Sequence, residues 1–262
     1  MNIKENDMLD TLKKLRDESG VVAVKAEFEA EGTRVDELLR LIEITRKAQM
    51  KIVLKIGGCE AVKDLMESKQ LGVDCIIAPM VETPYALSKF IDAKNKVYSN
   101  EEQLDKKFLF NLETITAFNN LTEMTGLAVA AQLDGLVFCR VDFSGSLNLS
   151  RQNVNTDVIS KYCFDTAKEC KKNNLEVVVG GAISIDALDV LREINDIHLS
   201  RFETRKIVFD SSALSNSNIQ KGLLQAVKFE LLWLLNKRDY YSRIMEEDKK
   251  RIDLLENRWK VL

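Results

Sequence analysis

The chain has 262 residues, 45% of them hydrophobic and 30% charged, with a formal net charge of -3 and a sequence pI near 5.5. That balance supports one large core, and it excludes the basic footprint of a nucleic-acid-binding protein. No apolar run approaches the roughly 20 residues that span a bilayer, so no membrane partner is expected.

The N-terminal stretch, residues 1–19, is polar and charged throughout and lacks the apolar centre of a signal peptide. Five cysteines, Cys59, Cys75, Cys139, Cys163 and Cys170, are scattered with no C-x-x-C spacing. An odd, dispersed set of thiols points to a reducing compartment, and a cytoplasmic location is expected.

Short β-rich apolar runs then recur along the chain. They are Val21–Phe28, Lys51–Ile56, Asp74–Val81, Phe108–Leu112, Gly135–Asp142, Glu176–Val179 and Lys206–Phe209. Their near-continuous apolar character suits strands covered on both faces. Helical stretches separate them. Thr33 with Asp36 reads as a capping box ahead of an apolar face at Val35, Leu38, Leu39, Ile42 and Thr45. Thr83-Pro84 places a capping hydroxyl before a proline at the first helical position. Ser184 is expected to open a helix over 185–194 in the same way.

This alternation predicts one unit over residues 1–262, a TIM-type (β/α)8 barrel, with an open doubly wound sheet as the competing architecture. Seven strands are evident; residues 197–206 hold either part of the last strand or an extra one, or a degraded strand near the N-terminus completes the ring. Residues 219–262 read as an extended helical segment with Leu223, Leu224, Val227, Leu231, Leu234 and Leu235 on an apolar side. It is longer than closing a barrel requires, so a homo-oligomer packed through this segment is expected.

In a β/α barrel the strand C-termini line the active-site face. Polar residues interrupt the apolar runs there: Lys25, Glu27, Lys55, Glu82, Glu113, Arg140 and Asp142. Glu113 and Asp142 end neighbouring runs, and two such carboxylates can share one hard cation. Each acid could equally cap the following helix or pair with Lys55 or Arg140. Lys25 with Glu27 reads either as acid–base machinery or as an ion pair plugging the mouth. Gly180-Gly181 leaves backbone amides free, as a tight turn or as a phosphate cradle. The polar block Glu203-Thr204-Arg205-Lys206 fits either end of the barrel. The one histidine, His198, lies away from these positions and reads as structural.

Three blocks carry a resemblance: Gly72–Thr83 with Pro79-Met80-Val81-Glu82-Thr83, Asn111–Ala117 with Glu113-Thr114, and Leu133–Leu147 with Asp142-Phe143-Ser144-Gly145-Ser146-Leu147. In order and spacing they resemble the HpcH/HpaI aldolase and citrate lyase β-subunit family. The resemblance implies a barrel that makes or breaks a carbon–carbon bond beside a 2-oxo acid, through an enolate stabilised by a divalent cation, Mg2+ or Mn2+. It implies Glu113 and Asp142 as metal ligands, and backbone around Arg140, Val141 and Asp142 as the seat of the substrate carboxylate. Lys55 stands where the family has an arginine that steadies the enolate, keeping the charge without the planar fork. Phe28 stands where the aldolase branch has its histidine base, which leaves Glu27 as the acid–base candidate. Lys55 and Arg140 are then the expected catalytic cations. The substrate expected is a small 2-oxo acid, free or linked to phosphate or coenzyme A. A barrel that has lost catalysis and serves as a scaffold is the alternative that the missing histidine motivates.

Overall fold

A computed structural model describes residues 1–260. Eight strands close into one barrel in sequence order: β1 (Val21–Glu27), β2 (Lys51–Lys55), β3 (Cys75–Ala78), β4 (Lys107–Leu112), β5 (Gly135–Cys139), β6 (Glu176–Gly180), β7 (Arg201–Glu203) and β8 (Ile207–Asp210). The helices are α1 (Ile3–Ser19), α2 (Val35–Lys47), α3 (Val62–Leu71), α4 (Pro84–Val97), α5 (Asn100–Leu104), α6 (Ile115–Asn119), α7 (Leu121–Ala130), α8 (Arg140–Ser146), α9 (Asp157–Lys172), α10 (Leu188–Ile197) and α11 (Ile219–Trp259). None of the described helices is long and apolar enough to cross a membrane.

The TIM-type closure is as expected, with one difference at its last strand. β1 through β7 pair in parallel, but β8 runs antiparallel to both β7 and β1. The reason is the length of the link. Residues 204–206 alone join β7 to β8, and a parallel return needs a dozen or more residues. The chain therefore turns back as a hairpin, with Thr204 N–H donating to the Ile207 carbonyl at 2.9 Å. Residues 197–206 thus hold an extra strand, and the hairpin tip lies at the end where β1 to β7 finish.

Pleating sorts the side chains. Ala23, Val53, Cys75, Ile77, Leu109, Val137, Val178 and Val208 form one apolar belt inside the barrel. Two residues further along, the strands present Lys25, Lys55, Asn111, Cys139, Gly180 and Glu203 in the layer above, because alternate residues share a face. Gly135 is required where β5 meets β6: a Cβ there would lie 2.2 Å from the Glu176 carbonyl oxygen. The opposite mouth is closed by Glu176, paired with both Lys107 and Arg201.

Local start signals fared unevenly. Thr83 caps α4, accepting from Ala86 N–H at 3.1 Å. Helix α2 instead begins at Val35, and the Glu37 carboxylate, not Asp36, accepts from the Arg34 N–H. Leu39 faces solvent, while Leu41 and Ile44 take the buried positions. Ser184 makes no side-chain cap. A short 3-10 turn, Ile185–Ala187, intervenes before α10. In α11 the five leucines and one valine expected on one side divide between two faces: Leu223 is buried, whereas Leu224, Val227, Leu231 and Leu234 are exposed.

α1 and α11 pack together across the outside of the barrel. Asn2 bonds Asn236, Lys4 bonds Asp239, and the buried Glu5 carboxylate receives Arg40 at 2.6 Å. That guanidinium holds the Glu5 carboxyl down at about 2.

Candidate active site at the barrel mouth

Glu113 follows β4 and is buried. Its Oε1 accepts the Met80 N–H at 2.7 Å, and its Oε2 accepts Asn111 Nδ2 at 2.7 Å, with Lys55 Nζ 3.4 Å away. Met80 adopts φ +50°, a left-handed conformation that a non-glycine residue holds only at a cost. The strain turns its amide onto the carboxylate, which links the Pro79–Met80 block to the Glu113 block physically.

Asp142 lies beside it, although not at a strand end as expected. β5 stops at Cys139 and α8 begins at Arg140, so Asp142 sits in the first turn of that helix. Its carboxylate is exposed at the rim. Ligand atoms of Glu113, Cys139 and Asp142 all lie within 4.8 Å of one another. One acid comes from the wall and one from the rim, so the two converge with an open side toward solvent. The donor set fits a divalent cation. A further polar atom points to missing chemistry nearby: Asn111 Oδ1, on the amide bound to Glu113, is buried without a hydrogen-bond partner.

Cys139 was not singled out by sequence reasoning. Its Sγ is 2.8 Å from Asp142 Oδ2. Register could have found it, since Leu112 pairs with Phe138 and Glu113 therefore lies level with Cys139.

Lys55 is buried and bridges Glu113 and Glu29, the latter at 3.1 Å. Burial by itself lowers its pKa, but the charges of Glu113, Glu29 and Glu27 outweigh this and raise it. The group is an ammonium ion, which suits charge stabilisation and disfavours a Schiff-base nucleophile.

Glu27 belongs to a lock. Lys25 Nζ is 2.5 Å from Glu203 and 3.1 Å from Glu27, with all three buried. Burial would raise the Glu27 carboxyl, yet Lys25, then Lys55 and Arg205, hold it below the usual range. The ion-pair plug, one of the two readings of Lys25 and Glu27, is the arrangement present, and Glu203 from β7 completes it. The polar block Glu203–Lys206 therefore faces the mouth. Lys206 pairs with Glu31 at the same end.

Arg140 requires a correction. Its side chain is fully buried and donates to the Gly181 carbonyl at 2.8 and 3.1 Å, to the Ala182 carbonyl, and to Asn155 Oδ1. Nε and one terminal nitrogen are engaged by the loop after β6 and the other by Asn155 ahead of α9, so the guanidinium is a strut and not a substrate cation. Gly181, at φ +83°, sits over the amides of the same residues. A Cβ on it would fall 2.7 Å from Val141 N and 2.8 Å from Arg140 N. The Gly-Gly turn thus serves to bring this loop onto α8. His198 bonds the Leu175 carbonyl outside the mouth, as a structural histidine should.

The sequence matches the HpcH/HpaI aldolase/citrate lyase family over residues 18–196. No sequence among curated proteins matches. Among solved structures, an HpcH/HpaI aldolase from Desulfitobacterium hafniense DCB-2 is similar with TM-score 0.61 and 10% identity, over 87% of this chain and 90% of that one. An HpcH/HpaI aldolase/citrate lyase family protein from Burkholderia cenocepacia J2315 gives TM-score 0.63 and 10% identity, covering 90% of each chain. Macrophomate synthase gives 0.56 and 15% identity, over 84% of this chain and 80% of that one. At these identities the likeness is one of fold; the family assignment rests on the sequence match, which spans Glu113, Asp142 and most of the barrel, and by it the chain belongs to the HpcH/HpaI aldolase/citrate lyase family.

Proposed function

We propose that this protein is a divalent-metal-dependent carbon–carbon lyase acting on a 2-oxo acid. The observation that carries the reading is the convergence of Glu113 and Asp142, from separate blocks, at one open barrel mouth. These two acids hold the cation, and a carboxylate set of this kind suits magnesium or manganese. When bound, the ion supplies Lewis-acid polarisation of the keto oxygen.

The chain's own groups do the rest. The Val141 amide, in the first turn of α8, receives the substrate carboxylate. Lys55, kept charged by its three acids, offsets the negative charge developing on the enolate oxygen. Glu27 is held as a carboxylate by Lys25 and shapes the wall. Glu29, bonded only to Lys55 and one third exposed, is the better placed proton carrier. The substrate is a small 2-oxo acid in a cytoplasmic setting.

Enolate formation is testable without knowing the second product. In D2O with Mg2+ or Mn2+, the methyl protons of pyruvate, followed by NMR after chelation of the metal, should exchange for deuterium faster with enzyme than without. Exchange that is absent for pyruvate and 2-oxobutanoate, together with no binding of either ion by calorimetry, would leave the non-catalytic scaffold as the correct reading.

A further inference from the structure

α11 carries two apolar faces. Its inner face, Ile219, Leu223, Ala226, Phe229 and Trp233, packs on the barrel. The second face is exposed on the opposite side of the same turns at Leu224, Val227, Leu231 and Leu234. It continues with steps of three and four through Arg238 and Tyr241 to Met245, then Asp248, Ile252, Leu255 and Trp259. That is an unbroken heptad seam, the 3.5-residue period by which one helix recognises another. From Arg243 on, every described residue is exposed, so about 27 Å of helix projects without support. A lone helix of that length is marginal in water.

We propose that α11 pairs with α11 of a second copy as an antiparallel two-stranded coiled coil centred on Arg243. The two charges in the seam fix both partner and direction. Arg238 and Asp248 are equidistant from Arg243, so an antiparallel pair sets Arg238 against Asp248 of the partner subunit, twice by symmetry. A parallel, in-register pair sets arginine on arginine and aspartate on aspartate. The same antiparallel register sets Leu231 against Leu255 of the partner subunit and Leu234 against Ile252 of the partner subunit, while in the central layer Tyr241, whose hydroxyl bonds Glu37, faces Met245 of the partner subunit. At the flanks, Lys228 faces Glu256 of the partner subunit and Glu230 faces Arg258 of the partner subunit, while Lys237, already neutralised by Glu37, lies level with Arg251 of the partner subunit. The projecting half of each arm thereby covers the apolar face that the other leaves bare on its barrel. Such an interface is isologous and closes at two copies.

Sedimentation velocity of the full chain tests this. The wild type should run as a dimer at micromolar concentration. Arg238→Asp and Asp248→Arg, both on exposed positions, should each raise the dissociation constant at least about a hundredfold, because like charges then face each other in two layers. The double variant R238D/D248R should dimerise again with the wild-type constant. Circular dichroism of the single variants should keep the barrel's melting transition. A monomeric wild type, as a seam reserved for another protein would give, overturns the proposal. So do single variants that dimerise undiminished, and a double variant that stays monomeric.

Discussion

Asp142→Asn should lower the metal-dependent exchange of 2-oxo acid protons by about a thousandfold. A divalent Lewis acid contributes several kcal/mol to stabilising charge on a carbonyl oxygen. At 1.36 kcal/mol per tenfold, the loss of about 4 kcal/mol gives that factor. Asp142 is the cleaner of the two acids to remove. It is exposed at the rim and its one side-chain partner is the Cys139 thiol, so stability should change by no more than about 0.5 kcal/mol. Glu113→Gln should cost as much activity, but it also disturbs the Met80 amide and leaves Lys55 with Glu29 as its close partner. Combining both should be little worse than either alone, because the two act as one unit. Calorimetric titration with Mn2+ should show binding lost in step with rate. If Asp142→Asn bound Mn2+ and exchanged protons as the wild type does, the two-acid reading would be wrong.

Lys25→Met should be the most destabilising single change at the mouth, by about 3–5 kcal/mol in urea unfolding at neutral pH. The methionine roughly conserves volume, so the effect is electrostatic. It strands Glu27 and Glu203, both buried, without their shared cation. The pH dependence separates this from simple misfit. In the wild type the Glu27 carboxyl is held low, so its contribution is present above the unfolded value, about 4.3, and is lost as pH falls through the folded one. In the variant the burial of Glu27 loses its main offset, with Lys55 and Arg205 left to act on it, and the sign reverses: acidifying from about pH 7 to 5 should recover stability as a proton neutralises one of two neighbouring buried carboxylates. Adding Glu203→Gln should restore part of the loss at neutral pH, by a non-additive coupling. A Lys25→Met protein within about 1 kcal/mol of wild type at pH 7 would show that water, not Lys25, compensates these acids.

What the sequence determined by itself was the set of elements with strong local patterns. Six parallel strands showed as short apolar runs, and Thr83-Pro84 marked a helix start through a hydroxyl and a ring whose effects are purely local. Glu113 and Asp142 were legible because each interrupts or follows an apolar run next to a recognisable block. Tertiary structure alone decided which polar residues face one another. Glu203 reaches Lys25 across 178 positions of sequence, and only the three-residue hairpin, which reverses β8, brings Glu203 and Lys206 to the mouth. Arg140 was misjudged because position along a strand does not tell where a long side chain ends. Its carbonyl partners at Gly181 and Ala182 come from the next βα loop. Cys139 was overlooked for a related reason: one thiol has no spacing signal, and it joins the acids only when β4 and β5 align in register. Periodicity reports what one segment does along its own axis, whereas charge pairing in a closed barrel depends on neighbours that strand order and register supply.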